Sequence, residues 1–428
     1  MTIALLFGTL AICLLIGVPI AISLGVAALV AIYFGSTLPL DLIVQKAFTS
    51  LDSFPMLAIP FFMLAGILMG KGGVSKRLLN LASALAGWMT GGLSIVTIIA
   101  CMFFAAISGS GPATVAAIGT FMIPAMIAKK YDAGFAAAVP AAAGSIGVII
   151  PPSIPFVIYG VIGNVSVGDM FIAGIIPGLL IGISLIMTAY IISKRRGYKP
   201  EDETEKFSIK DVLVALNDAK WALLIPVIIL GGIYGGIFTP TEAAVVAVVY
   251  AIIIGVFVYK ELDLKGLYDS FMETIIINAT TMIIIGLSVS FAYFMTIEQI
   301  PNQIAQFLTD LSSNPIVILI LINLLLLVVG MFIDTISAIV ILTPILLPVV
   351  MAVGVDPVHF GVILVANLAI GFVTPPLGVN LFVASSVGRV RFEQISLSVI
   401  PFIITMIIAL VLITLIPELS TWLPSLLK

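Results

Sequence analysis

The sequence predicts an all-α, polytopic membrane protein built from two inverted repeats. Each repeat carries a helical hairpin with a polar tip and a helix broken at Pro-Pro. Three observations predict this. First, 61% of the 428 residues are hydrophobic and 9% are charged, with a mean hydropathy of +1.31; a water-facing surface needs far more charge. Second, apolar runs of about 20 residues recur, long enough to cross hydrocarbon as helices, whereas the short alternating strands of a membrane barrel are absent. Third, one stretch occurs twice, at an offset of 224 residues and without gaps. Pro124 falls on Pro348, Asp132 on Asp356, Gly147 on Gly371, Pro151-Pro152 on Pro375-Pro376 and Pro177 on Pro401. Identity between the copies is low, about one position in seven, and the matches that matter are prolines and glycines, the residues that set backbone shape.

The first repeat covers residues 1–193. Thr2–Ile16 and Pro19–Phe34 read as two spans joined at Gly17-Val18-Pro19. The N-terminal run lacks a basic segment or a small-residue cleavage signal, and reads as a retained span. Asp41–Ser53 is amphipathic and suits the membrane surface. Pro55–Gly70 is a span, and Lys71–Leu85 a second surface helix. Trp88–Ile107 and Pro112–Ala128 are the limbs of the first hairpin, around Ser108-Gly109-Ser110-Gly111. Asp132–Ile162 is a long helix interrupted at Pro151-Pro152, and Asp169–Ile192 is a span.

Residues 194–220 form the one long hydrophilic segment, read as a cytoplasmic linker. The second repeat covers 221–428 and repeats the series. Trp221–Phe238, Pro240–Tyr259 and Thr274–Met295 are spans; Leu262–Glu273 and Glu298–Leu311 are surface helices. Ile316–Phe332 and Ser337–Val353 are limbs around Asp334-Thr335. Pro357–Val387 is broken at Pro375-Pro376, and Ile395–Leu415 is the last span.

With the linker in the cytoplasm, only Lys46 and Lys428 of the 18 basic residues fall outside, as the positive-inside rule asks. The same count inverts the repeats and puts both termini outside. Charge alone does not separate a re-entrant hairpin from two full crossings. The polar, glycine-rich tips favour re-entrant hairpins that end inside protein, because a lipid-exposed turn leaves backbone groups unpaired.

The chemistry concentrates at the tips and breaks. Asp334 lies in a run from Pro315 to Val353 with no other charge, and a carboxylate at membrane depth is costly enough to imply function. It also suits an N-cap for the limb that follows. Ser108-Gly109-Ser110-Gly111-Pro112 offers hydroxyls, carbonyls and the amides of a helix start, which favour an anion such as a carboxylate. Each Pro-Pro pair removes two amide donors and frees carbonyls about a turn earlier, around Gly147–Val148 and Gly371–Phe372. Freed carbonyls in a dry site suit a small hard cation such as sodium. Ser153, Thr374 and Asn380 add polar groups beside the breaks.

Other features carry less. His359, near Asp356, reads as interfacial, and Glu242, after Thr239-Pro240-Thr241, as a helix cap. Cys13 and Cys101 lie in apolar runs and read as buried thiols. Asn164-Val165-Ser166 fits a short glycosylation pattern. No phosphate-binding loop, H-E-x-x-H or G-x-S-x-G signature is present, so neither ATP drive nor these hydrolytic chemistries are expected. Asp334 has no intramembrane carboxylate partner, which weighs against an aspartyl protease. The net charge of −3 and the lack of a basic stripe argue against nucleic acid.

At these residues the sequence resembles the large membrane subunit of tripartite ATP-independent periplasmic (TRAP) transporters, over essentially the whole chain. The resemblance rests on Ser108–Pro112, Ala142–Ser153, Gly235–Ala243 and Gly371–Asn380, and is strongest to the sialic-acid branch, with the dicarboxylate branch sharing most motifs. It implies an elevator-type transporter of the bacterial inner membrane, not an enzyme. Its partners would be a four-helix small membrane subunit and a periplasmic substrate-binding protein, and at least two sodium ions would drive import. By motif, the first sodium site would involve Ser108, Ser110, Gly147 and Pro151. The second would involve Asp334, Thr335, Ser337, Gly371, Thr374 and Pro376. The solute, a small organic acid, would sit between them near Ser108, Ser153 and Asp334. A stand-alone sodium–carboxylate symporter of similar architecture is the first rival; a channel or an intramembrane enzyme is the second.

Overall fold

A computed structural model describes residues 2–36, 38–198, 207–301, 303, 304, 306 and 314–427. The acidic core of the linker, Lys199, Lys206, Lys428 and half of the surface helix expected at Glu298–Leu311 lie outside the described residues. The described residues are helical throughout, with short connections. Eight of their helices are long and apolar enough to cross a membrane.

The helices follow the order read from the sequence: α1 Thr2–Leu15, α2 Ile20–Gly35, α3 Asp41–Leu51, α4 Ala58–Lys71 and α5 Val74–Ala86. The first hairpin is α6 Gly92–Ser108 with α7 Gly111–Ala128. The first broken helix is α8 Ala133–Gly144, a 3-10 turn Ser145–Val148, and α9 Ile154–Gly163. After α10 Val167–Arg196 come α11 Ile209–Tyr234, α12 Pro240–Ile253 and α13 Leu264–Ile297. The second hairpin is α14 Pro315–Gly330 with α15 Thr335–Ala352, and the second broken helix is α16 Pro357–Gly371 with α17 Val379–Gly388. The described chain closes with α18 Phe392–Leu415 and α19 Glu418–Leu427.

Capping explains several boundaries. The Asp132 side chain accepts from Phe135 N (2.9 Å) and Asp356 from Val358 N (2.7 Å) at corresponding starts of the two broken helices. Thr239 and Glu242 form a reciprocal capping box at the start of α12, the role expected of Glu242. The Pro-Pro pairs at 151–152 and 375–376 both contain a cis peptide bond.

Three expectations need correcting. The surface helix and span expected at Leu262–Glu273 and Thr274–Met295 are one rod, α13, of 34 residues. Polarity changes along it, but the backbone ladder is indifferent to that change and continues. For the same reason α11 begins at Ile209, inside the expected linker, and α10 reaches Arg196. His359 is 1% exposed and fully enclosed, not interfacial; its amide donates to the Asp356 carboxylate (3.1 Å).

The two broken helices form the interior. Every residue of α8 from Gly134 to Gly144 and of α16 from His359 to Gly371 is buried. The alanines and glycines of α8 let neighbouring backbones approach closely. Around this interior pack α6, α7, α10, α17 and α18. A second group, α2, α3, α4 and α12, gathers along and beside α13 and meets the first group chiefly where α4 touches α6 and α13 touches α15. Cys101 is buried and Cys13 partly buried, and neither forms a disulfide.

Candidate functional site

Each hairpin tip is seated on the break of its own repeat. At the first, α6 ends at Ser108 and the chain turns through Gly109, with φ +61°, a conformation glycine adopts without strain. Pro112 stands in the first turn of α7, where its missing amide costs nothing. Ser108 Oγ lies 2.8 Å from Thr114 Oγ1, and Thr114 Oγ1 donates to Ser110 O at 2.8 Å. Ser108 Oγ also approaches Ser110 O at 3.3 Å. Two hydroxyls and a carbonyl thus form a compact oxygen cluster. Thr114 was not singled out from the sequence; its spacing of one helical turn from Ser110 is the signal that could have found it.

The break closes on this cluster. A Cβ on Gly147 would lie 2.7 Å from both Ser110 O and Thr114 Oγ1, so only glycine allows the 3-10 turn to come this near. Gly109 meets Pro152 O and the Ile154 amide across the same seam. Ser153 is placed differently from its expected role beside the solute. It is fully buried, donates to Val148 O (2.6 Å) and accepts from Phe156 N (3.3 Å), capping α9. One acceptor position of the Val148 carbonyl is therefore taken, while Pro151 sits in the connection between the two helical pieces.

The second tip repeats the plan with a charge. The Asp334 carboxylate accepts from Ser337 N (3.0 Å) and caps α15. Thr335 and Ser337 are buried in its first turn, and the Ser337 hydroxyl has no partner among the described residues. Gly330 and Gly371 touch backbone to backbone, with a Gly330 Cβ position 3.2 Å from Gly371 Cα. Thr374 Oγ1 donates to Ile370 O (2.7 Å), just before Pro375-Pro376.

The donors at both tips are hydroxyls, carbonyls and one carboxylate. Among the described residues no three His, Cys, Asp or Glu side chains gather as they would for a metal centre. An all-oxygen set of this kind fits a hard cation and is the wrong set for a thiophilic metal. The unpartnered Ser337 hydroxyl and the tight oxygen cluster at Ser108–Thr114 are consistent with that fit.

Ser108 and Ser110 also line a cavity of about 690 Å³ between the first tip, α4 and α13. Its wall is mostly apolar, with Lys71 and Glu273 at one end. Asp334 and Ser153 do not line it, so the three residues expected around one solute are not on one wall here. The two repeats are linked elsewhere. Asn380, in α17, donates to Ala141 O of α8 (3.1 Å), and its buried Oδ1 has no partner among the described residues and lies beside Gly111.

The family model described as the tripartite ATP-independent periplasmic transporter, DctM component, matches residues 7–419. An isethionate TRAP transporter permease protein from Oleidesulfovibrio alaskensis is 54% identical over 96% of this chain, which spans 65% of that longer protein. The C4-dicarboxylate and sialic acid TRAP large permeases of Vibrio cholerae are 41% and 40% identical, each with 98% of its length covered. In fold, the chain is similar to the YdaH transporter of Alcanivorax borkumensis, with a TM-score of 0.66, 14% identity and 90% of each chain covered. Matched along nearly all of its length, the chain belongs to the DctM family, the large permease component of the tripartite ATP-independent periplasmic transporters.

Proposed function

We propose that this chain is the translocating subunit of a sodium-coupled importer of a small organic acid anion. A periplasmic binding protein would deliver the solute and a small membrane subunit would brace the permease in the inner membrane. The observation that carries the proposal is the first tip: an oxygen cluster of Ser108, Ser110 and Thr114, closed by Gly147, beside a cavity that the same tip lines. One sodium would be held there and a second by Asp334, Thr335 and Ser337 with the break at Gly371–Pro376. The first of these sites shares its hairpin tip with the cavity wall, which would tie sodium occupancy there to the solute. The hairpins and broken helices would travel as a body past the α2–α4 and α11–α13 group, an elevator motion. On the charge pattern, both termini are periplasmic and the Lys71 end of the cavity is cytoplasmic.

The resemblance favoured sialic acid as solute. The relatives widen that choice, since sulfonate, dicarboxylate and sialic acid permeases all match along most of this chain. The class common to them is a small organic acid.

The test is uptake of labelled isethionate, succinate and N-acetylneuraminate into proteoliposomes. These contain the chain with its small subunit, an inward sodium gradient and the binding protein outside. Accumulation of one solute, lost when sodium is equalised or the binding protein omitted, is the expected result. Accumulation without the binding protein would instead favour a stand-alone symporter. No sodium-dependent uptake of any of the three would overturn the proposal.

A further inference from the structure

The cavity beneath the first tip contains a charge arrangement that the transport reading does not use. Of the residues that line it, only Lys71 and Glu273 are charged. They come from different elements, Lys71 from the last turn of α4 and Glu273 from α13. Their side chains meet at 2.8 Å, with 38% and 48% of each exposed. An ion pair this open to water is weak, because the attraction is screened and two long side chains must be held still. It can therefore open and re-form at little cost.

The position matters as much as the strength. Ser108 and Ser110 supply hydroxyls on the tip side of the wall, Thr120 adds one further along α7, and Phe104, Ala113 and Phe121 make much of the rest apolar. An organic anion leaving the tip meets its first cationic group at Lys71. The same lysine is already neutralised by Glu273, so the anion must compete for it.

We propose that Lys71 is a second, weaker anion subsite at the mouth of the cavity and that Glu273 is its built-in competitor. Lys71 draws the carboxylate or sulfonate off the tip by a charge-assisted contact. Glu273 then displaces it and keeps the subsite from becoming a trap. This inference rests on the proposed transport of an organic acid, and it concerns release rather than sodium coupling.

The test is a double-mutant cycle on the intact complex, comparing wild type, Lys71→Gln, Glu273→Gln and the double variant. Binding of isethionate, succinate or N-acetylneuraminate is measured calorimetrically at low salt, followed by uptake with whichever solute the wild type binds. Both side chains are half-exposed, so the substitutions leave no buried charge unpaired. Glu273→Gln is expected to tighten anion binding about threefold, a change in keeping with a single exposed pair, and to slow turnover. Lys71→Gln is expected to weaken binding by a similar factor. The double variant should behave as Lys71→Gln alone, because the competitor has no role without its lysine.

Tightening by Glu273→Gln that survives in the Lys71→Gln background would show a general field effect and overturn the subsite. Unchanged affinity and turnover in both single variants, with a wild type that binds and transports, would overturn it while leaving the transport reading intact. A wild type that binds none of the three solutes and accumulates none would remove both. Lys71→Arg should retain wild-type behaviour, since it keeps the cation in place.

Discussion

Thr114 and Asp334 each hold a hairpin tip in shape, and under the proposed function each would also serve an ion. Thr114 Oγ1 sits 2.8 Å from Ser108 Oγ and donates to Ser110 O, so it holds the tip in shape and belongs to the oxygen cluster. A valine has nearly the same outline but no hydroxyl. Thr114→Val is expected to leave the protein folded. A contact to a charged group is worth roughly 1.5–3 kcal/mol, so the sodium concentration for half-maximal uptake should rise about tenfold or more. Asp334→Ala removes an N-cap, typically about 1 kcal/mol, together with the one carboxylate at the second tip. It should abolish uptake and reduce, through loss of the second site, any rise in melting temperature that sodium gives the wild type. A sodium titration of thermal stability and uptake in both variants checks this; wild-type responses would take the residues out of the ion sites. Asp334 was legible from the sequence because a lone charge in an apolar run stands out. Thr114 was not, because an isolated threonine in a hydrophobic helix resembles many that simply back-bond to their own turn.

Among the elements, the hairpins and breaks were the legible ones. Their signals are prolines and glycines, whose backbone effects are local and survive in any fold. The long helices were less legible. Leu264–Ile297 changes from amphipathic to apolar part-way, and composition placed a boundary there that the backbone does not have. At 1.5 Å per residue the rod is about 50 Å long, well beyond the roughly 30 Å of hydrocarbon, so one end must leave the apolar layer or the helix must tilt. Helix α19, only 10 residues with Pro424 inside, gave no periodic signal long enough to read. The packing of hairpin on break carries its own prediction. Gly330 and Gly371 meet backbone to backbone, and a methyl group on Gly371 would strike the Gly330 carbonyl. Overpacking of this kind costs typically 1–3 kcal/mol. Gly371→Ala should lower the melting temperature and weaken sodium binding at the second tip, while Gly354→Ala, where a Cβ meets no neighbour but the φ of +80° strains it, should lower stability without touching sodium affinity. Equal sodium affinity in Gly371→Ala and wild type would separate this contact from the ion site.

For the whole molecule, the order of the elements was legible because an offset of 224 preserves the marker residues. Which element touches which was not. That depends on contacts between residues far apart in sequence, and one of them has a consequence of its own. The Asn380 amide of the second broken helix holds the Ala141 carbonyl of the first at 3.1 Å, across a sequence separation of 239. A displacement of one break by a few ångströms against the other would snap this bond and strand two buried polar groups. Any stroke that keeps it must carry both breaks at once, so an ion held at one tip, as proposed, would stiffen the seat of the other. Occupancy should then rise more steeply with sodium than two separate sites would allow, and cutting the tie with Asn380→Ala should flatten that dependence to near-hyperbolic. Seen this way, a single amide makes two half-machines into one escapement.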